Sequence, residues 1–273
     1  MHPILLTPRD LAVSASLLVL DGVLSVALGL RLHWQLAVAA TRMVIQLLVI
    51  GLVLRAAFAL ASPALTLGLV LVMAAIAARE VAVRPEQRLI RMGNYVVAGG
   101  SVAIATAITA ILALTTAIRP HPWYDPRYAI PLAGIITGNV LNAASLALDA
   151  LLGGVVRERA AIEAQLALGS TIAQAMARLV RQSIRRALLP MVNTMSAAGV
   201  VTLPGIMTGQ ILAGLDPVQA VKYQILLMFL LAGGSGLGAA GAVFLGARRL
   251  TDGRHRLRLD RLASGRTAGT GVR

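Results

Sequence analysis

The chain has 273 residues, 58% of them hydrophobic and only 13% charged, with a mean hydropathy of +0.80. A soluble domain of this length has no core large enough to hide that much apolar surface. The formal charge of +14 comes from 24 arginines and the single Lys222. These arginines flank apolar blocks, which points to membrane lipids and away from nucleic acid as the partner.

Seven apolar segments follow one another, at about 11–30, 36–54, 63–78, 96–118, 129–152, 188–214 and 221–247. Most are near the ~20 residues that carry a helix across the ~30 Å hydrocarbon layer. The expected fold is therefore all-α and polytopic: about seven transmembrane helices in a cell's inner or plasma membrane. One transmembrane domain spans 1–247, and 248–273 forms a basic, partly disordered cytosolic tail. The opening MHPILLTPRDLAVSA lacks a basic n-region, so the first segment reads as a span and not a cleaved signal peptide. The connections alternate in charge. One set holds Arg31, then Arg79, Arg84, Arg88 and Arg91, then the cluster from Arg157 to Arg186, then the tail; the other holds only Arg9, Arg55, Arg119 and Arg127. The positive-inside rule then places the N-terminus outside and the C-terminus in the cytoplasm.

Ionisable and amide side chains are costly in hydrocarbon and tend to face the bundle interior or a water-filled path. Asp21 lies near the middle of the first span, where it could pair with Arg42 or serve a pathway. Arg42 and Gln46 share a face of the second span, although Arg42 could equally snorkel to the interface. Between spans four and five, HPWYD (121–125) reads as an interfacial aromatic anchor, with His121 and Asp125 a weak outer binding patch. Span five carries a stripe of Gly134, Gly138, Asn142, Ser145 and Asp149, whose glycines suit close packing. Asn139 and Asn142 are the pathway candidates there.

Residues 153–187 are helical in composition but too charged to cross a membrane. Gly169 sits where a helix end wants a left-handed residue. Thr171 and Gln174 then have the spacing of a capping box, so helix, turn, helix is expected. Arg178, Arg181 and Arg185 fall on one face, for lipid phosphates, and Ile172, Met176, Leu179 and Ile184 on another. An amphipathic cytosolic linker and a docking element both fit this pattern.

The stretch GVVTLPGIMTGQILAGLDPV (199–218) puts Pro204-Gly205 inside the sixth segment. Pro204 lacks an N–H and clashes with the preceding turn, so a broken helix is expected, with open carbonyls near Val200 and Val201. Irregular backbone within a membrane is tolerated only inside protein or along a cavity. Asn193, Pro204, Gly205 and Gln210 are therefore read as lining a substrate route, with Asp21 as a charge partner. A structural kink packing through Gly205 and Gly209 is the alternative. In span seven, GGSGLGAAG (233–241) suits close packing or a dimer face.

Several chemistries are missing. Zero Cys excludes disulfides and thiolate metal sites. Lys222 follows no Gly-rich loop, so no standard ATP site exists on this chain. His2, His33, His121 and His255 lie in termini or connections, and no carboxylate pair is placed for acid–base work. A transport subunit without a bound cofactor is expected, and not an enzyme.

The run Glu163-Ala164-Gln165-x-x-x-Gly169 resembles the E-A-A-x-x-x-G loop by which permeases of ATP-binding-cassette transporters seat on their ATPases. Gln165 replaces the third Ala, and the Pro expected near Gln182 is absent, with Pro190 nearby. A wider resemblance is carried by TRMVIQL (41–47), IPLAGIITGN (130–139), LALGST (166–171), IRRALLP (184–190) and VVTLPGIMTGQILAGLDPVQAVKYQI (200–225). The chain resembles the FetB-type family of metal-exporting permeases, whose plant relatives are linked to aluminium tolerance.

That resemblance implies a permease homodimer with two separate ATPase subunits that hold ATP and Mg. It also implies coupling through Glu163, Ala164 and Gly169, and export of a metal cation. Asn193 and Asp21 are the candidate metal contacts, although some relatives carry Asp at the position of Asn193, so the charge of a ligand there is absent from this chain. Oxygen ligands would suit a hard cation such as Fe, Mn or Al, whereas Met191, Met195 and Met207 would suit a softer one. Three rivals remain at this stage. They are a gradient-driven transporter or channel, a membrane anchor for an ATPase, and a permease for an organic substrate such as a nucleotide sugar. The aromatic content of 3% argues against the last.

Overall fold

The computed structural model describes residues 7–90, 92–252 and 256–263. His2, Arg91, His255 and the last ten residues of the tail lie outside them. The chain divides into two compact units, Met1–Ser62 and Pro63–Arg273.

The first unit is a helical hairpin of α1 (Pro8–Ala27) and α2 (His33–Leu60). The Asp10 carboxylate accepts from the Thr7 N–H and hydroxyl, both at 2.7 Å, which satisfies the start of α1. Gly29 and Arg31 adopt positive φ in the turn, and buried Ser25 accepts from the Leu32 N–H at 2.8 Å. Leucines and valines cover the outside of both helices, a surface suited to acyl chains.

The second unit contains α3 (Pro63–Val83), α4 (Gly93–Leu112), α5 (Pro126–Arg157), α6 (Arg159–Ala167), α7 (Ile172–Ala197), α8 (Gly205–Leu212) and α9 (Pro217–Arg249). A π-helical turn, Ala113–Ile118, prolongs α4. The starts of α5 and α9 follow one rule: Asp125 and Asp216 cap them by accepting from Arg127 N–H (2.9 Å) and Gln219 N–H (3.1 Å), with Pro in the next position.

Helix α5 is the centre of this unit and packs on α9, α3, α7 and α4. Ile136, Val140, Leu148, Leu151, Leu152 and Val155 are fully buried along it. Hydrocarbon gives helices little reason to associate, so close fit must hold them. The glycines of α9 supply it. A Cβ on Gly238 would stand 2.9 Å from Val140 Cγ1, one on Gly234 3.1 Å from Thr109 Oγ1, and one on Gly241 3.3 Å from Ser101 Cβ. The small-residue run of span seven thus packs within the protomer at these three positions. These contacts, with Gly246 against Leu148 and Leu151, make α9 parallel to α5 and antiparallel to α4.

Among the described residues, six helices are long and apolar enough to cross a membrane, and they coincide with six of the seven expected segments. The remaining one, 188–214, is divided between the end of α7, an irregular stretch and α8. The break starts earlier than Pro204 would require. Helix α7 ends at Ala197, Gly199 takes φ +85°, and Pro204 caps α8 from outside the helix. Residues 256–263 of the tail are folded: β2 (Leu262–Ala263) pairs antiparallel with β1 (Arg88–Leu89) in the α3–α4 loop.

Candidate functional site

Two places on one helix stand out. At its start, α7 forms an elbow with α6. Gly169 adopts φ +90°, and the Thr171–Gln174 capping box closes the turn, with Gln174 Oε1 accepting from Thr171 N–H at 2.8 Å. Arg178 donates to Glu158 at 2.8 Å and ties α7 back to the entry of α6. It is thus engaged in an ion pair, where the sequence offered it to lipid phosphates. Met176 and Leu179 are buried as expected, with Ile172 and Ile184 packed beside them. Leu179 also presses on Gly154 of α5, where no side chain would fit. The elbow is therefore braced on its inner side.

Its outer side is bare. Ala164 and Gly169 are exposed, and Glu163 pairs with Arg159, one turn away at 2.8 Å. Leu168 at the tip of the elbow is 87% exposed.

At its other end α7 runs into the break. The Ala197 carbonyl accepts from Val201 N–H (3.0 Å) and Thr202 N–H (3.1 Å), and Gly199 N–H donates to the Thr202 carbonyl (2.9 Å). Among the described residues, the carbonyls of Val200 and Val201 receive no backbone N–H. Asn193 is exposed one turn before the end of α7, and Gly205 is open at the start of α8. Gln210 of α8 has its Oε1 buried without a hydrogen-bond partner, and so has Gln224 on α9, the helix α8 packs against. Gln224 is 8% exposed. Leaving a buried amide oxygen unpaired costs on the order of 1–3 kcal/mol, so each of these oxygens is open to a donor or a cation. Sequence reasoning missed Gln224, although a lone amide in VKYQILLMF was its signal.

The other candidates are placed elsewhere. Asn139 donates to the Ile135 carbonyl of its own helix at 2.9 Å. Asn142 accepts from Arg84 at 3.1 Å, and Asp149 accepts from Glu86 N–H at 3.1 Å, so both fasten the α3–α4 loop to α5. In the hairpin unit, Asp21 is exposed on α1, and Arg42 and Gln46 line one shallow groove of α2 with Trp34 and Ile45. Among the described residues, no three of His, Cys, Asp and Glu gather as metal ligands. A cation at the break would meet amide and carbonyl oxygens, the ligands of hard metals.

Comparison with known proteins matches residues 8–251 to a family described as "Uncharacterised protein family (UPF0014)". The UPF0014 membrane protein slr1647 of Synechocystis is 42% identical over 206 residues, 74% of this chain and 78% of that protein. The "Probable iron export permease protein FetB" of Escherichia coli K12 is 34% identical over 258 residues, covering 94% of this chain and 97% of that one. Protein ALUMINUM SENSITIVE 3 of Arabidopsis thaliana is 30% identical over 223 residues, 82% of this chain and 80% of its own. No solved structure matches.

Proposed function

The chain belongs to the UPF0014 family of membrane proteins, and on that premise we propose that it is the permease subunit of an ATP-binding-cassette transporter. In this reading it exports a hard metal cation, using ATP hydrolysed with Mg on a separate ATPase subunit, and works as a pair of permeases. The name of the Escherichia coli relative supports the cation and the direction.

One observation carries the mechanism: the bare elbow and the helix break are the two ends of the same helix, α7. Its 26 residues span about 39 Å at 1.5 Å per residue. A partner gripping Leu168 and Glu163 would move the far end of α7, where the open carbonyls of Val200 and Val201 lie. Alternating access then needs no contact between the partner and the cation. The parallel course of α5 and α9 supports a crossing between them, which α7 and α8 supply jointly as the seventh. The charge of the connections supports a cytoplasmic elbow.

The test is co-purification from native membranes in mild detergent, comparing the native chain with Leu168→Asp. Because Leu168 is bare, the variant should fold normally. A P-loop ATPase should accompany the native chain and be depleted about tenfold or more with the variant, as for an interface anchor. ATP-driven export of iron should fall in step. A native chain that purifies alone, and passes cations down a gradient in vesicles without a partner, would replace this reading with a self-sufficient transporter.

A further inference from the structure

The folded part of the tail creates a cavity that the transport reading does not use. It has a volume of about 430 Å³ and is lined by Leu89, Ile90, Gly93, Arg249, Arg258 and Arg261, with Asp260. Three guanidinium groups and one carboxylate leave a lining charge of +2. Arg258 spends one edge on Asp260, with two bonds of 2.8 Å, and its Nη1 lies 3.9 Å from the Asp252 carboxylate. Arg261 spends Nη1 on the carbonyls of Arg249 (2.8 Å) and Thr251 (3.3 Å) at the end of α9. Arg249 is exposed, and among the described residues its guanidinium makes no hydrogen bond. Gly93 opens α4 here, adding the positive end of a 20-residue helix.

We propose that this cavity between the start of α4, the end of α9 and the folded tail is a binding site for a phosphate group. Planar guanidinium forks match phosphate oxygens two at a time. The volume exceeds what one phosphate needs and leaves room for the group to which it is esterified. Two sources supply that chemistry, an anionic phospholipid headgroup at the bilayer edge and a soluble phosphate ester. Either one, bound across Arg249 and the Arg258–Arg261 segment, would clamp β2 onto β1. The site is independent of the cation route, since it lies at the opposite end of α9 from Gln224.

Hydrogen exchange reads the clamp directly, because Ile90 N–H donates to the Arg261 carbonyl at 2.7 Å. The full chain is placed in phosphatidylcholine nanodiscs with sodium chloride, in the same discs with inorganic phosphate, and in discs containing phosphatidylglycerol. Exchange across residues 88–93 should slow about tenfold where the site is filled, as for a ligand present at about ten times its Kd. It should not slow in Arg249→Gln, and should slow only in part in Arg249→Lys, which keeps the charge but not the fork. Slowing with inorganic phosphate identifies a soluble ester as source, and slowing with phosphatidylglycerol alone identifies the headgroup. Exchange unchanged in both arms, or slowed equally in Arg249→Gln, overturns the proposal.

Discussion

Helices α5 and α8 are both built of apolar and small residues, yet they are treated in opposite ways. Along α5, one side chain after another is withdrawn from the surroundings, whereas α8 buries none of its eight residues fully. Both contain glycines at a spacing of four, Gly134 and Gly138 in one, Gly205 and Gly209 in the other. What differs is the neighbour. Gly134 of α5 receives the Met73 side chain, and Val140 fits against Gly234 and Gly238; Gly138 has open space, but so do both glycines of α8, Gly205 and Gly209. Within a membrane, hydrophobicity decides only that a segment can enter. Steric fit decides whether it becomes core or remains movable.

The largest effect should come from filling the tight contact. Gly238→Leu forces a side chain into Val140 Cγ1 at 2.9 Å and into its carbonyl at 3.3 Å. A loss of more than about 3 kcal/mol is expected, read as a collapse of folded yield in detergent. Gly205→Leu has free space and should unfold nothing, so any loss of transport from it is functional. If the two variants were equally unstable, the contrast between α5 and α8 would be broken.

A smaller effect sharpens where the break comes from. Gly199→Ala places a side chain at φ +85° and should cost about 1–2 kcal/mol, seen as a lower thermal midpoint. Pro204→Ala should cost less, since Pro204 sits outside α8 and the break precedes it. Reversal of that order would return the break to the proline.

The smallest effect concerns the tail. Its bond to Arg258 holds the Asp260 carboxyl below the ordinary 3.8, with the charges of Arg258 and Arg261 adding to it against a little burial. A depressed carboxyl stabilises the folded form above pH 3.8 and loses that contribution as pH falls through its lowered value. Exchange of the Ile90 amide, corrected for intrinsic rate, should therefore be flat from pH 7 to about 5 and rise only under strong acid. A rise near neutrality would mean that some other group holds the strap.

Much of this architecture was legible beforehand because the deciding physics is local. Apolar length gave the spans, and Gly169 with Thr171 and Gln174 specified the elbow. What stayed hidden depended on pairs distant in sequence. Nothing in the tail's composition shows that Leu262 meets Leu89, and nothing near Asn142 shows that Arg84 will claim it. The break was foreseen but credited to Pro204, because a proline announces itself and a glycine at positive φ does not. Gln224 was passed over because its value lies in having no partner, which only three dimensions reveal.

The α7 helix also has a phase. Each residue turns it by about 100° and advances it by 1.5 Å. One alanine added in its middle would leave the elbow and the break intact but aim them at directions about 100° apart from their present relation. Four added residues would nearly restore the angle and lengthen the arm by about 6 Å. For a rod that passes on rotation, the single residue is the graver change; for one that passes on thrust, the four are.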